Sequence, residues 1–228
     1  MKRYTTDFYA ALREGSRASA DVIVPLILKL VRPKRVIDVG CGTGEWLASF
    51  HAHGIDDFLG VDGDWVDRGS LQIPSDHFLS VDLQGPLKIS RSFDLVVSLE
   101  VAEHLPAESA AAFVHSLTRL SPVILFSAAI PFQGGTDHIN EQWPTYWADL
   151  FLKHGYVGID CIRRRVWDNT AVEFWYAQNT FVYVKEDQLQ RYPALEKENA
   201  EGSRMLSMIH PRLYLARLEE LRSAGRAN

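Results

Sequence analysis

Residues 36–47 read Val-Ile-Asp-Val-Gly-Cys-Gly-Thr-Gly-Glu-Trp-Leu, an apolar stretch that runs into glycines at alternate positions and then into a helix former. A strand ending in such a loop lets backbone come close to a nucleotide-like ligand, which side chains would prevent. Glycines alone are weak evidence, because tight turns after strands use them for steric reasons. Acidic residues sharpen the reading. Asp38 lies two residues before Gly40, where its carboxylate can point into the ligand crevice and reach an amino acid ammonium group; it would repel a pyrophosphate. Asp62 ends the next apolar run about 20 residues on, where an acidic side chain accepts hydrogen bonds from ribose hydroxyls. Asp82 closes Ser-Val-Asp-Leu, where a carboxylate can accept the exocyclic amine of an adenine. The three strand ends together describe one ligand with an ammonium group, a ribose and an adenine.

The rest of the chain alternates in period. Residues 7–31 carry apolar side chains at mostly helical spacing and Pro33 closes them, predicting helix ahead of the sheet. Strands are predicted at 35–39, 58–61, 77–81, 93–99, 123–129, near 156–166 and near 178–185. Helices are predicted at 45–53, ended by Gly54, at 107–120 and at 144–154, with a helix or turn at 64–71. Strand–helix alternation of this kind gives an α/β fold with a mostly parallel, seven-stranded sheet and helices on both faces. The last two strands have no helix-length apolar pattern between them and read as a terminal antiparallel hairpin. Beyond residue 186 the chain is charged, and a further helix follows Pro211 with Leu213, Leu215, Leu218 and Leu221 available to dock on the domain or on a second copy. The expected division is 1–34 as a helical segment or lid, 35–186 as the main domain and 187–228 as a helical tail.

Residues 36–44 resemble motif I of the class I methyltransferases that use S-adenosylmethionine (SAM). Gly60-Val61-Asp62 is similar to their acidic ribose loop, and residues 93–105 to their fourth motif. The resemblance covers roughly residues 35–185 and implies a Rossmann-like fold, SAM as cofactor and methyl transfer as the activity. It places SAM against Asp38, Gly40, Cys41, Gly42, Gly44, Asp62, Gly63, Asp82, Leu83 and Leu99. Trp65, just past Asp62, either lies against the adenine or caps the core. Tyr4, Phe8 and Tyr9 either form a lid over SAM or pack. A nicotinamide-dependent oxidoreductase fits less well, because Gly40-Cys41-Gly42-Thr43-Gly44 departs from G-x-G-x-x-G. A SAM-binding protein without turnover is the other alternative.

The fourth strand runs into Glu100-Val101-Ala102-Glu103-His104, at the carboxyl edge of the sheet where ligands of open α/β folds sit. A helical turn there sets Glu100, Glu103 and His104 on one face, two oxygen ligands and one nitrogen ligand for a divalent cation. The loop at 131–143 can bring His138 to the same crevice. Glu-x-x-Glu-His followed by a later histidine is similar to the metal site of small-RNA terminal 2′-O-methyltransferases and resembles that of ubiquinone-pathway O-methyltransferases. That implies Mg²⁺ or Mn²⁺ held by Glu100, Glu103, His104 and His138, lowering the pKa of the attacking hydroxyl. Without metal, His104 or His138 serves as general base, and Glu103 and His104 position substrate. Trp143, Tyr146 and Trp147 stand at helical spacing and form either an aromatic wall or helix packing.

Oxygen of a small molecule, a sugar or secondary metabolite, is the expected acceptor, with RNA ribose 2′-O-methylation as the alternative. Asp and Glu outnumber Lys and Arg by 29 to 24, which argues against nucleic acid as partner. Arg163, Arg164 and Arg165 are the one basic cluster, expected at a strand end. Two cysteines, one of them in the glycine loop, fit a reducing cytoplasm, and neither a signal peptide nor a membrane span is expected.

Overall fold

A computed structural model describes residues 6–201 and 206–225, with side chains described for 14–201 and 206–223. Five parallel strands form its backbone: β1 (Arg35–Val39), β2 (Asp57–Asp62), β3 (Phe78–Ser80), β4 (Leu95–Leu99) and β5 (Val123–Ser127). Two more, β6 (Tyr156–Ile159) and β7 (Phe181–Lys185), complete a seven-stranded sheet in the order β3-β2-β1-β4-β5-β7-β6. β7 enters between β5 and β6 and runs antiparallel to both. The order reverses at β1 and β4, so the crevice beyond their carboxyl ends is where such a fold takes its ligands.

Period-two alternation splits each central strand between two cores. Val36, Leu95, Val97, Val123 and Leu125 face one side, beneath helices α1 (Thr6–Val31) and α2 (Glu45–Ala52). Ile37, Val96, Ile124 and Phe126 face the other, beneath α3 (Ala110–Leu120) and α4 (Pro144–Leu152). Helix α1 buries Ala20, Ile23, Val24, Ile27 and Val31, at i, i+3, i+4, i+7 and i+11, so this segment packs as one stripe on the sheet. The predicted parallel α/β fold with helices on both faces is the fold observed.

β6 and β7 form the expected terminal antiparallel pair, but the first strand is shorter than the expected run to residue 166. β6 stops at Ile159, and two short helices follow, α5 (Arg163–Val166) and α6 (Phe174–Asn179). Arg163 explains the break. It is completely buried, donates to Asp160 at 3.0 and 2.6 Å, bonds the carbonyl of Gln178 at 3.2 Å and lies 4.2 Å from the centre of the Phe181 ring. Pairing this charge within the fold needs a turn there rather than an edge strand. Arg164 and Arg165 pair with Glu198 of α7 (Pro193–Glu201), so the basic cluster is occupied within the chain. A last helix, α8 (Pro211–Gly225), buries Leu213 against the domain while Leu215 and Leu221 remain exposed. Among the described residues, no helix is long and apolar enough to cross a membrane.

Candidate active site

A cavity of about 470 Å³ opens at the carboxyl ends of β1, β2 and β4, with Gly40, Gly42, Asp62, Trp65, Asp82 and Leu83 on one wall. The opposite wall carries Glu100, Val101, His104, Leu105 and Asp137. Among the described residues no Lys or Arg lines it. Gly40 has φ 85°, and a Cβ there would stand 2.3 Å from a methyl of Val101, so only glycine lets the loop close against the segment after β4. Gly40 and Cys41 both donate backbone N–H groups to the Val61 carbonyl, and Gly42 donates to Asp62 Oδ2 at 2.7 Å. Gly63 donates to Asp62 Oδ1, also at 2.7 Å. The Asp62 carboxylate thus ties the glycine loop to the end of β2 and still has lone pairs for ribose hydroxyls. Burial pushes it above the ordinary carboxylate range, against the pull of those two backbone bonds.

Asp38 is placed deeper. By the alternation of β1 it shares the face of Val36, it is 2% exposed, and it does not form part of the cavity wall. Burial first, then the charges of Asp62 and Glu45, hold its pKa well above the usual range. Cys41 and Leu99 are buried behind the wall, Gly44 and Gly63 also stand outside it, and the Cys41 thiol is pushed far up by burial. Leu83 is buried yet reaches the cavity, and Asp82 accepts the Gln84 N–H at 2.9 Å. Trp65 is 72% exposed on the cavity wall that Asp62 also lines, and so stands outside the core. Tyr4 and the side chains of Phe8 and Tyr9 lie outside the described residues.

The acceptor side is built differently. Glu100 takes a left-handed backbone, φ 55°, at the end of β4, with its N–H shared between the Ser127 carbonyl and hydroxyl, both at 3.1 Å. Its carboxylate accepts from Gln133 Nε2 at 2.8 Å and from Asn179 Nδ2 at 3.1 Å. Burial raises its pKa while the Ser127, Asn179 and Gln133 bonds lower it. The single-turn geometry after β4 brings Glu103, His104 and His138 together, one ligand atom from each lying within 4.8 Å of the others. Glu100 is not a member of that group, and its carboxylate is engaged by amide donors instead. Glu103 is completely buried and neither oxygen has a hydrogen-bond partner among the described residues. Burial, then the Glu100 charge, raises its pKa well above the normal range. Partial burial of the His104 ring, then His138, hold the His104 pKa below the usual histidine value. The two imidazoles meet edge to face at 4.8 Å. Of the aromatic trio, Trp147 is 2% exposed in the core and only Trp143 and Tyr146 reach the surface.

Gln133, Asn179 and Glu141 were not singled out by sequence reasoning. Gln133 and Glu141 lie inside the loop chosen for His138. Asn179 precedes β7, whose antiparallel course brings its start to the same sheet edge as the carboxyl ends of the parallel strands.

Several solved structures share the fold. The sugar N-methyltransferase KedS8 from Streptoalloteichus sp. ATCC 53650 is 15% identical with TM-score 0.61, over 81% of this chain and 94% of that one. Magnesium protoporphyrin IX methyltransferase (ChlM) from Synechocystis PCC 6803, with bound SAH, is 17% identical with TM-score 0.59, over 81% and 90%. The methyltransferase domain of bacterial CtHen1-C is 20% identical with TM-score 0.55, over 74% and 98%. No curated protein matches the sequence. The family model "Methyltransferase domain" matches residues 9–157, from within α1 through the glycine loop and both acidic edges to β6. The chain belongs to that family and is a SAM-dependent class I methyltransferase.

Proposed function

We propose that the enzyme methylates a hydroxyl of a small molecule, a sugar or a secondary metabolite, beside Glu103, His104 and His138, with a divalent cation assisting. The observation that carries this reading is the buried Glu103 carboxylate without a hydrogen-bond partner, standing with two imidazoles in ligand range. A buried charge is costly unless paired or coordinated, so this donor set fits a cation. Two nitrogen donors and one carboxylate suit a Mn²⁺-class ion better than the all-oxygen shell that Mg²⁺ prefers. Such an ion would supply Lewis acidity that lowers the pKa of the acceptor hydroxyl.

SAM brings a methyl group made electrophilic by its sulfonium. Asp62 and Asp82 hold the ribose and adenine, and Trp65 covers them. The acceptor oxygen lies against the histidines, loses its proton to a neutral imidazole or to solvent, and takes the methyl as the carbon–sulfur bond breaks, leaving S-adenosylhomocysteine (SAH). The acidic balance of 29 against 24 disfavours a polyanionic acceptor. Fold neighbours named for a porphyrin and for a sugar substrate agree with a small acceptor.

The test is transfer from labelled SAM to matched panels of hydroxyl-bearing and amine-bearing sugars and phenols, with and without Mn²⁺. Mn²⁺-dependent transfer to hydroxyls, lost in His104→Ala while SAH still binds by calorimetry, is expected. Transfer confined to amines and indifferent to metal overturns the proposal.

A further inference from the structure

We infer that Glu141 is a positioning residue that fixes His138 as its Nδ1–H tautomer, leaving Nε2 as the ring's lone pair for the acceptor site. This deepens the function proposed above and rests on it for the role of His138.

The loop between β5 and α4 is folded around the Glu141 carboxylate. Oε2 accepts the Phe132 N–H at 2.7 Å, and Oε1 accepts the Gly134 N–H at 2.8 Å. His138 Nδ1 lies 3.0 Å from Oε1. Both oxygens already receive main-chain donors, so Oε1 meets the ring as an acceptor, and Nδ1 must carry the hydrogen. The pair is sheltered: the His138 and Glu141 side chains are 12% and 19% exposed, so water competes little for this bond. The other ring nitrogen is treated in the opposite way. Nε2 has no hydrogen-bond partner among the described residues, and a Cβ at Gly135 would fall 2.2 Å from it. Gly135 has φ 151°, and its missing side chain leaves the room that the Nε2 edge of the ring occupies. Phe132 and Asp137 adopt φ 66° and 56°, conformations unfavourable for side chains of their kind. Hydrogen bonds to one carboxylate hold the Phe132 side of this turn, and the Ile139 and Asn140 N–H groups both bond the Glu103 carbonyl at 2.9 and 3.0 Å. Glu141 therefore sets the ring and Glu103 anchors the loop, which is how an outer carboxylate commonly fixes a functional imidazole.

The experiment uses ¹⁵N-histidine-labelled full-length protein and long-range ¹H–¹⁵N spectra at a pH where the ring is neutral, with His138→Ala to assign the signal. Wild type is expected as Nδ1–H. In Glu141→Leu the ring loses its carboxylate acceptor at Nδ1, so the preference for Nδ1–H should be lost and Nε2–H should prevail. Mn²⁺ affinity should then fall about 10- to 100-fold with the SAH affinity of wild type, while the melting temperature drops because the Phe132 and Gly134 N–H groups lose their acceptor. An Nε2–H signal in wild type, or an Nδ1–H signal retained in Glu141→Leu, overturns the inference; should that variant not fold, the wild-type spectrum alone decides. A tautomer switch in a protein that binds no Mn²⁺ would leave this inference standing and remove the metal from the proposed function.

Discussion

On the glycine-loop side of the crevice, the buried carboxylate of Asp62 has a backbone N–H on each oxygen. Across the crevice, Glu103 is more deeply buried and has no hydrogen-bond partner for either oxygen among the described residues. The backbone differs as well. Positive φ on the cofactor side falls on Gly40, Gly42 and Gly44, where it is free of steric cost, whereas on the acceptor side it also falls on Glu100, Phe132 and Asp137. Each non-glycine residue there costs on the order of 1–2 kcal/mol. One half is complete as folded; the other stores backbone strain and a buried carboxyl group with no hydrogen-bond partner among the described residues.

If this contrast is functional, the two halves should fail differently. The largest effect is expected from Glu103→Ala, which should lower turnover about 10²- to 10⁴-fold while calorimetry finds SAH bound as in wild type; equal losses in both would erase the division. Asp62→Ala should do the reverse, weakening SAH by about 10- to 100-fold through loss of a charged acceptor and slackening the glycine loop. Third comes Asn179→Leu, which strips a donor from the buried Glu100 carboxylate and should lower unfolding stability by about 1–3 kcal/mol in urea. An unchanged midpoint would show that Gln133 alone satisfies Glu100.

A smaller effect concerns pH on the cofactor side. Asp38 has a raised folded-state pKa, so the folded protein keeps its proton at pH values where the unfolded chain has released it. Stability therefore falls as pH rises from the unfolded carboxylate range, about pH 4, toward the raised value. Asp38→Asn should gain on wild type across that interval in thermal melts without ligand, and a pH-independent difference would contradict the assignment. The smallest change is expected at Arg217, which reaches from α8 to the Gln133 carbonyl and the exposed Glu220. Arg217→Ala should cost under about 1 kcal/mol, as partly exposed charges do, yet speed hydrogen exchange in residues 131–141 and not in the glycine loop.

The cofactor half was legible because its signals are short-range. Gly40, Asp62 and Asp82 each sit at a fixed offset from an apolar strand, and a parallel sheet brings successive strand ends to one edge, whereas Asp38 lies below the cavity wall. The acceptor half was legible only as a motif. Glu100, Glu103, His104 and His138 were named together, but the fold unites three of them and draws Glu100 toward Asn179, 79 residues away in the chain. The aromatic trio divided for a similar reason. Helical spacing aligns Trp143, Tyr146 and Trp147, yet the contact of Trp147 with Phe126 of β5 puts it in the core. Arg163 is the clearest case of charge misleading: three arginines in a row suggest a solvated edge, and the first is fully buried because Asp160, two carbonyls and the Phe181 ring converge on it.

What the sequence by itself determined is the strand–helix alternation, the glycine loop and the acidic cofactor edge, since periodicity and fixed offsets from strand ends survive without knowledge of distant partners. Only the tertiary structure decided that Glu103 would be left unpaired, that Glu100 would be held by Gln133 and Asn179, and that Glu141 would face Nδ1 of His138. Those outcomes depend on burial and on backbone turns with positive φ, and both arise only when β7 and the loop after β5 fold back onto the end of β4.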